Sequence, residues 1–514
     1  MAFWSALLKN VLFLCQIYII MLKSNHFIKK AILVFAFVLS SVSIMNAQWT
    51  SPGNGTTYTL NDLVEVSGCV SFDPAIFYYF ITGDITISAN DKLYINRNDG
   101  LIYIVFANDY TITIKGSMEA LGQDEEHYLP IGMSGHLRFE DTSDPSFLNY
   151  CWFGEMNGIQ IINSEVTFDD CRFHYFYSQQ QSSTVNVMNC DPVFDNCEFY
   201  FNEGAAISSP ANGQGSPQIF NCQFTNNVTT NANQPQINLG PGSQDTIRIV
   251  NCTIEGEHDM SGGIAITDLM GTGETKILLK DNVIKNNRYG YNQQGYKLSS
   301  VINGNQFIDN NLETNPMNGG SGISIYGMDE NNKAIIRNNV ITGNLWGITA
   351  IYFHDIDLGT ENDWGNNKIY NNGNDGVIYD LYNNSSCDFM AVGNYWGTFN
   401  EDEIEEHIVH QPDNPSFGLV TYIPFINDDA VNEIKTTGFE VCPNPVSNGS
   451  FNLILDEVTP SEMMIYNIKG QEVLSQYIEN KVNTINVDAL ESGFYLVKIR
   501  NAKETMVRRI IIVE

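Results

Sequence analysis

Basic residues are scarce in this chain: 26 Lys and Arg stand against 59 Asp and Glu, a formal net charge of −33. That excludes a nucleic-acid partner, whose phosphates need a basic footprint. It also disfavours binding an acidic glycan directly, without a bridging cation. The ten cysteines contain no Cys-x-x-Cys pair, and so few in 514 residues are not a disulfide scaffold. Helical periodicity is missing from Tyr150 to Gly397. Long apolar runs are missing too, except near the N terminus.

That N-terminal exception reads as an export signal over residues 1–47. Lys23, Lys29 and Lys30 precede the apolar run Ala31–Met45, and Met45-Asn46-Ala47 offers a cleavage site before Gln48. The run is short for a membrane span, and Met21 is an alternative start. No stable span is expected in the mature chain. Without the four lysines of the signal the balance is 22 basic to 59 acidic groups, or −37.

What the chain has in abundance is a repeat. An Asn or Cys, any residue, then a large apolar residue recurs as Cys151/Phe153, Cys171/Phe173, Cys197/Phe199, Cys222/Phe224 and Cys252/Ile254. It continues as Asn282/Ile284, Asn305/Phe307, Asn339/Ile341, Asn367/Ile369 and Asn394/Trp396. The intervals run from 20 to 34 residues, the signature of a solenoid with loops of varying length. Five residues past the anchor stand Asn202, Asn227, Asn287, Asn310, Asn344 and Asn372. Each rung then shows three short apolar strands between Asn/Gly corners. Asn tolerates left-handed backbone at such a corner, and its amide can bond the Asn of the next rung. Where Asn gives way to Cys, a free-thiol packing column that needs no partner is expected. Ten rungs at about 4.8 Å predict a rod roughly 50 Å long.

These repeats resemble the right-handed parallel β-helix family, of which pectate lyase is the best-known shape. The resemblance covers roughly 71–427, after an N-terminal cap at 48–70, and is specific for fold rather than activity. A linker follows at 428–438. From Phe439 the pattern becomes antiparallel, with Pro443-Asn444-Pro445, Gly449-Ser450-Phe451-Asn452-Leu453 and the closing Arg508-Arg509-Ile510-Ile511-Ile512. Residues 439–514 resemble the type IX secretion C-terminal sorting domain of Bacteroidota, departing from it at Cys442. The resemblance implies a small β-sandwich read by the outer-membrane translocon, and a secreted or outer-membrane-surface location. The expected fold class is therefore all-β: a right-handed parallel β-helix followed by a small antiparallel β-sandwich.

In enzymes of this shape the cleft lies on the strand after the second Asn column. Its outward positions here are expected to be Gln160, Ser208, Asn238, Ala265, Ser324 and Thr349, none an acid or base at neutral pH. Paired carboxylates are not laid out on that face, and the Gly-His-Gly and Arg-x-Lys runs of polygalacturonases are absent. A non-enzymatic protein binding carbohydrate or another surface through its loops is the preferred reading. A polysaccharide lyase or hydrolase and a structural spacer are the alternatives.

Three groups of residues carry the site expectations. Lys276, Lys280, Lys285, Arg288 and Lys297 form a basic run in which Lys285 and Arg288 are the catalytic candidates, as base and carboxylate neutraliser. Asp355, Asp357, Glu361 and Asp363, in an excursion at 354–363, can wrap a hard cation such as Ca²⁺. Trp346, Tyr352 and Trp364 can stack on sugar rings.

Overall fold

The computed structural model describes residues 47–97, 102–177, 183–352, 355–427, 439–444, 446, 449–455, 461–467, 471–500 and 505–512. The signal segment up to residue 46, the linker 428–438 and His354 lie outside the described residues. The chain divides into two compact units, one ending at Ile426 and one beginning at Asn427.

The first unit is a parallel β-helix built from three sheets. Sheet I has 14 strands, from Ala47–Thr50 to Ile408–Val409, and sheet II has 14, from Thr57–Tyr58 to Val420–Thr421. Sheet III has 13, from Val70–Asp73 to Lys368–Tyr370. Each turn of chain contributes one strand to sheet III, then I, then II, as in Cys151–Gly154, Gly158–Ile162 and Val166–Asp169. Fourteen strands at about 4.8 Å give a rod of about 60 Å, longer than the ten anchors predicted. The excess lies before Tyr150, where coils form without the anchor: Leu129 is the rung partner of Cys151. An apolar side chain closes the corner there, so the repeat pattern does not count those coils.

The ends differ from the middle. A seven-residue helix, Leu60–Val66, is opened by a capping box between Thr59 and Asp62 and buries Leu60 and Leu63 over the first coils. Val70–Asp73 pairs antiparallel with Tyr78–Ile81, closing that end of sheet III. Asp91, almost fully buried, accepts hydrogen bonds from the backbone N–H groups of Gly53, Gly55 and Thr56 and ties the N-terminal segment down.

The corners work differently from the sequence reading. The left-handed residue is the one before each anchor: Asn196 (φ 51), Asn221 (φ 54), Asn251 (φ 57), Asn338 (φ 56) and Asn366 (φ 51). Asn and Asp bear that conformation at low cost. The turn aims the next side chain inward, so the anchor itself is buried. Asn282, Asn305, Asn339, Asn367 and Asn394 then form a continuous ladder, each Nδ2 donating to the next Oδ1 at 2.8–3.0 Å. Each Oδ1 also accepts the preceding rung's backbone N–H, as Asn305 N does to Asn339 Oδ1 at 2.8 Å. The thiols continue the same scheme rather than standing without partners. Cys222 Sγ accepts from Cys197 N and Cys252 Sγ from Cys222 N, both at 3.4 Å, and Cys252 N donates to Asn282 Oδ1 at 2.9 Å. Burial pushes the Cys151, Cys197 and Cys252 thiols up.

The second column runs from Asn202 to Asn372 and has a gap, because Gly256-Glu257 replaces its Asn after Cys252. Gln236 fills the gap from a sheet I strand, accepting from Asn227 at 2.9 Å and donating to Asn287 at 3.0 Å. The last amide, Asn372, donates to Asp380 Oδ1 at 2.8 Å. Asp380 is fully buried, and its Oδ2 lies 3.2 Å from His407 Nδ1 at the end of the helix Glu401–His407. Between the columns the core stacks ring on ring: Phe153, Phe173, Phe199 and Phe224 have successive centroids 5.2, 4.5 and 4.8 Å apart.

The second unit has its own core, including Phe439, Phe451, Leu453, Ile465, Val497 and Ile510. Three antiparallel strands (Phe439–Cys442, Ser450–Leu455, Val482–Asn486) form one sheet. Glu472–Ile478, Ser461–Asn467, Gly493–Arg500 and Thr505–Ile512 form the other, in that spatial order.

Two stability predictions follow the ladder. Asn339→Leu leaves the backbone N–H of Asn305 without an acceptor and takes one of two hydrogen bonds from the Asn305 amide and from Asn367 Oδ1, costing about 1–3 kcal/mol for the unpaired N–H. Cys222→Ala removes weaker N–H···S and S–H···O contacts and lowers the melting temperature less; equal shifts contradict this ranking. The second concerns His407, whose pKa is raised chiefly by its hydrogen bond to Asp380, while burial works against it. Its contribution is complete below the unfolded value of about 6.5 and is lost as pH rises through the raised folded value. The melting temperature of the wild type falls over that window on going alkaline, and that of His407→Gln does not.

Candidate functional site

The register of sheet I stacks one outward column: Gln160, Asn186, Ser208, Asn238, Ala265, Asn292, Ser324, Thr349 and Tyr382. The six positions anticipated from the sequence all fall in it. Amides and hydroxyls dominate, and none of the nine is a carboxylic acid, a histidine or a lysine.

Over the C-terminal part of this column lies a groove of about 470 Å³. The loop 311–320 walls one side through Pro316, Met317 and Asn318, and Trp346 and Tyr382 stand in the groove. Trp346 is fixed by its Nε1–H, which donates to the Pro316 carbonyl at 2.9 Å. Its ring lies 4.7 Å from Tyr379 and 5.5 Å from Tyr382, which contacts Phe417 at 5.9 Å. The aromatic wall is thus held in place before any ligand arrives.

Arg288 enters the same groove from the corner after Lys285. Its Nε donates to the Asn318 carbonyl at 2.9 Å, Nη2 donates to the same oxygen, and Nη1 donates to Asn233 Oδ1. Among the described residues it has no carboxylate partner, so a cation stands in a groove of an otherwise acidic chain. Tyr289 also lines the groove, and burial raises its phenol to about 12, so it stays neutral at physiological pH.

The other site expectations separate. Lys285 does not join Arg288: it points from sheet III and pairs with Glu255 on the neighbouring rung at 3.1 Å. The five basic residues do not form a patch, because 22 residues are about one turn of the coil. Lys276 and Lys280 fall on sheet II, Lys285 on sheet III, Arg288 at the next corner, and Lys297 between sheets I and II. Trp346 is in the groove, whereas Tyr352 packs edge-on to Tyr326 at 5.8 Å, 65% exposed. Trp364 sits over Gly393 at a corner between sheets II and III.

The acidic segment is corrected most. Asp355–Asp357 is a strand of sheet II paired with Lys333–Ile335 rather than part of a projecting loop. Strand geometry turns Asp355 and Asp357 to the same side, and their neighbour Ile356 into the core. Arg337, buried below them, supplies the counter-charge: Nη2 lies 2.7 Å from Asp357 Oδ2 and 3.0 Å from Asp363 Oδ2. Its Nη1 donates to the Asp357 carbonyl at 2.7 Å. Asp355 and Glu361 stay exposed. Among the described residues no three His, Cys, Asp or Glu side chains are grouped to hold a metal ion. A guanidinium does at Asp357 and Asp363 what Ca²⁺ was expected to do.

Comparisons with known proteins bear on the two units separately. Residues 440–513 match the family described as "Secretion system C-terminal sorting domain". Residues 248–401 match the family described as "Protein of unknown function (DUF1565)". No curated protein matches the chain. Among solved structures, the periplasmic alginate epimerase AlgG is similar at 13% identity and TM-score 0.38, over 72% of this chain and 83% of that one. The receptor-binding tailspike of bacteriophage Det7 is similar at 9% identity and TM-score 0.21, over 92% and 97%. The chain is a parallel β-helix protein with a type IX sorting domain at its C terminus, and that domain marks it for the cell surface or the extracellular space. Among the described residues no helix is long and apolar enough to cross a membrane.

Proposed function

We propose that this protein is a non-enzymatic glycan-binding β-helix that is exported by the type IX route and holds a saccharide chain along the sheet I groove. The observation that carries the reading is the meeting of Trp346 and Tyr382 with Arg288 over a floor of amides and hydroxyls. Aromatic faces stack on sugar rings, and Asn and Ser side chains supply the donors and acceptors that orient hydroxyl groups. A hydrolase or lyase needs a group that takes or gives a proton beside the bound sugar. Among the described residues the groove is lined by a guanidinium and phenols, without the carboxylate pair that a glycosidase uses and without an imidazole.

The sorting domain supplies the address and the β-helix the binding. Each unit has its own apolar core, which favours two folding units with divided tasks. On this reading Arg288 orients the ligand, and its carbonyl and amide partners keep it in place without neutralising it.

A glycan array probed with the full chain checks the reading. Wild type retains at least one glycan. Trp346→Ala and Tyr382→Ala each weaken that retention about tenfold or more, as truncating a central aromatic anchor does, with the melting temperature little changed. Undiminished retention of every glycan by both variants, or retention of none by the wild type, rules the groove out as a binding site.

A further inference from the structure

A second set of rings lies on the outer face of sheet III, on rungs that the groove does not touch. Tyr78 and Tyr103 are rung partners with centroids 4.8 Å apart. Two rungs beyond Tyr103, Trp152 stands outward, paired with Pro130. The neighbouring outward column reads Val105, Gly132, Gly154 and His174. The two glycines make a floor. At Gly132 a Cβ would stand 2.2 Å from the Gly154 carbonyl oxygen, so no side chain fits. At Gly154 a Cβ would have only ordinary contact with the Trp152 ring, 3.5 Å away. Tyr78, Tyr103, Trp152 and Tyr175 wall a trough of about 270 Å³ above this floor. Trp152 is 41% exposed and Tyr175 49%, a large aromatic area for a surface without a partner.

We infer that this trough is a second binding site, for an uncharged saccharide chain laid across the rungs of sheet III. Charge selects the occupant. Among the described residues Glu155 is the one ionisable acid or base lining the trough apart from its tyrosines, in a chain of net charge −33. An anionic lipid surface, an acidic polymer or a second copy of this chain is repelled by that field, whereas a neutral glycan is not. Shape selects it as well. The walls are aromatic rather than aliphatic, and flat rings offer stacking faces to the apolar C–H side of a pyranose. Rungs about 4.8 Å apart, close to the length of one sugar residue, put Tyr103 one rung from Tyr78 and Trp152 two rungs further on, so the rings fall at whole-residue steps along a saccharide chain. The site stands apart from the sheet I groove, so one molecule can hold two chains and tether them.

Isothermal titration of the full chain with cellohexaose, xylohexaose and mannohexaose tests this, with hexagalacturonate as the acidic comparison. At least one neutral hexasaccharide binds saturably, and hexagalacturonate does not bind at this site. Trp152→Ala weakens that binding about tenfold or more. Gly154→Val, which leaves the ring and fills the trough, does the same. The same titrations repeated in Trp346→Ala, which disables the groove on sheet I, retain a saturable site that Gly154→Val abolishes, which separates this trough from that groove. Should Trp152→Ala not fold, Gly154→Val decides. Absence of saturable binding by every neutral probe overturns the inference, as does wild-type affinity in Gly154→Val. A change of sedimentation coefficient on substituting Trp152, without any glycan binding, overturns it in favour of self-association.

Discussion

One constraint governs the β-helix: an Asn amide stacked into its interior must be hydrogen-bonded on both sides. An orphaned amide there costs about 1–3 kcal/mol, a large share of a domain's net stability. The chain meets the constraint by stacking, since each anchor's donor and acceptor find the anchors one rung away. The exceptions are instructive. Where the second column lacks its Asn, Gln236 reaches in from sheet I, and where the column ends, Asp380 accepts the last amide. Replacing Asn with Cys keeps an acceptor for the neighbour's N–H, at the longer 3.4 Å that sulfur requires.

That interior order sets the outside. With the corners fixed, alternation along each strand leaves one outward residue per rung at each column, and register aligns them into straight files. A file of amides and hydroxyls on sheet I, or of rings and glycines on sheet III, is therefore a one-dimensional surface with a repeat near that of a sugar chain. The loops add walls and specificity, as 311–320 does beside Trp346. The solenoid is a ruler, and the chemistry lies in which residues it displays.

Much of this was legible in the sequence. The anchors, the second Asn column and the outward file on sheet I follow from spacing alone, because a coil leaves a fixed count between corner and strand. The sorting domain was legible from its motifs. Loops and neighbours in space were not. The cation reading at Asp355–Asp363 failed because the neutralising Arg337 comes from the preceding rung, 20 residues before Asp357 and 26 before Asp363. The pairing of Lys285 with Arg288 failed because the corner between them sends one side chain to sheet III and the other to the groove. Gln236 was overlooked since nothing in a local pattern announces a residue that repairs a ladder on a different strand. The coils before Tyr150 were undercounted because an apolar corner leaves no polar signature.

Hydrogen exchange of the backbone amides at Cys252, Asn282, Asn305, Asn339 and Asn367 tests the central claim most directly. Each of these N–H groups donates to the side-chain oxygen of the next rung. If the ladder is the cooperative spine of the β-helix, all five exchange together, through the same global opening as the strands around them, and Asn339→Leu accelerates its neighbours on both sides. Fast, independent exchange at these positions while the flanking strands stay protected would contradict the account.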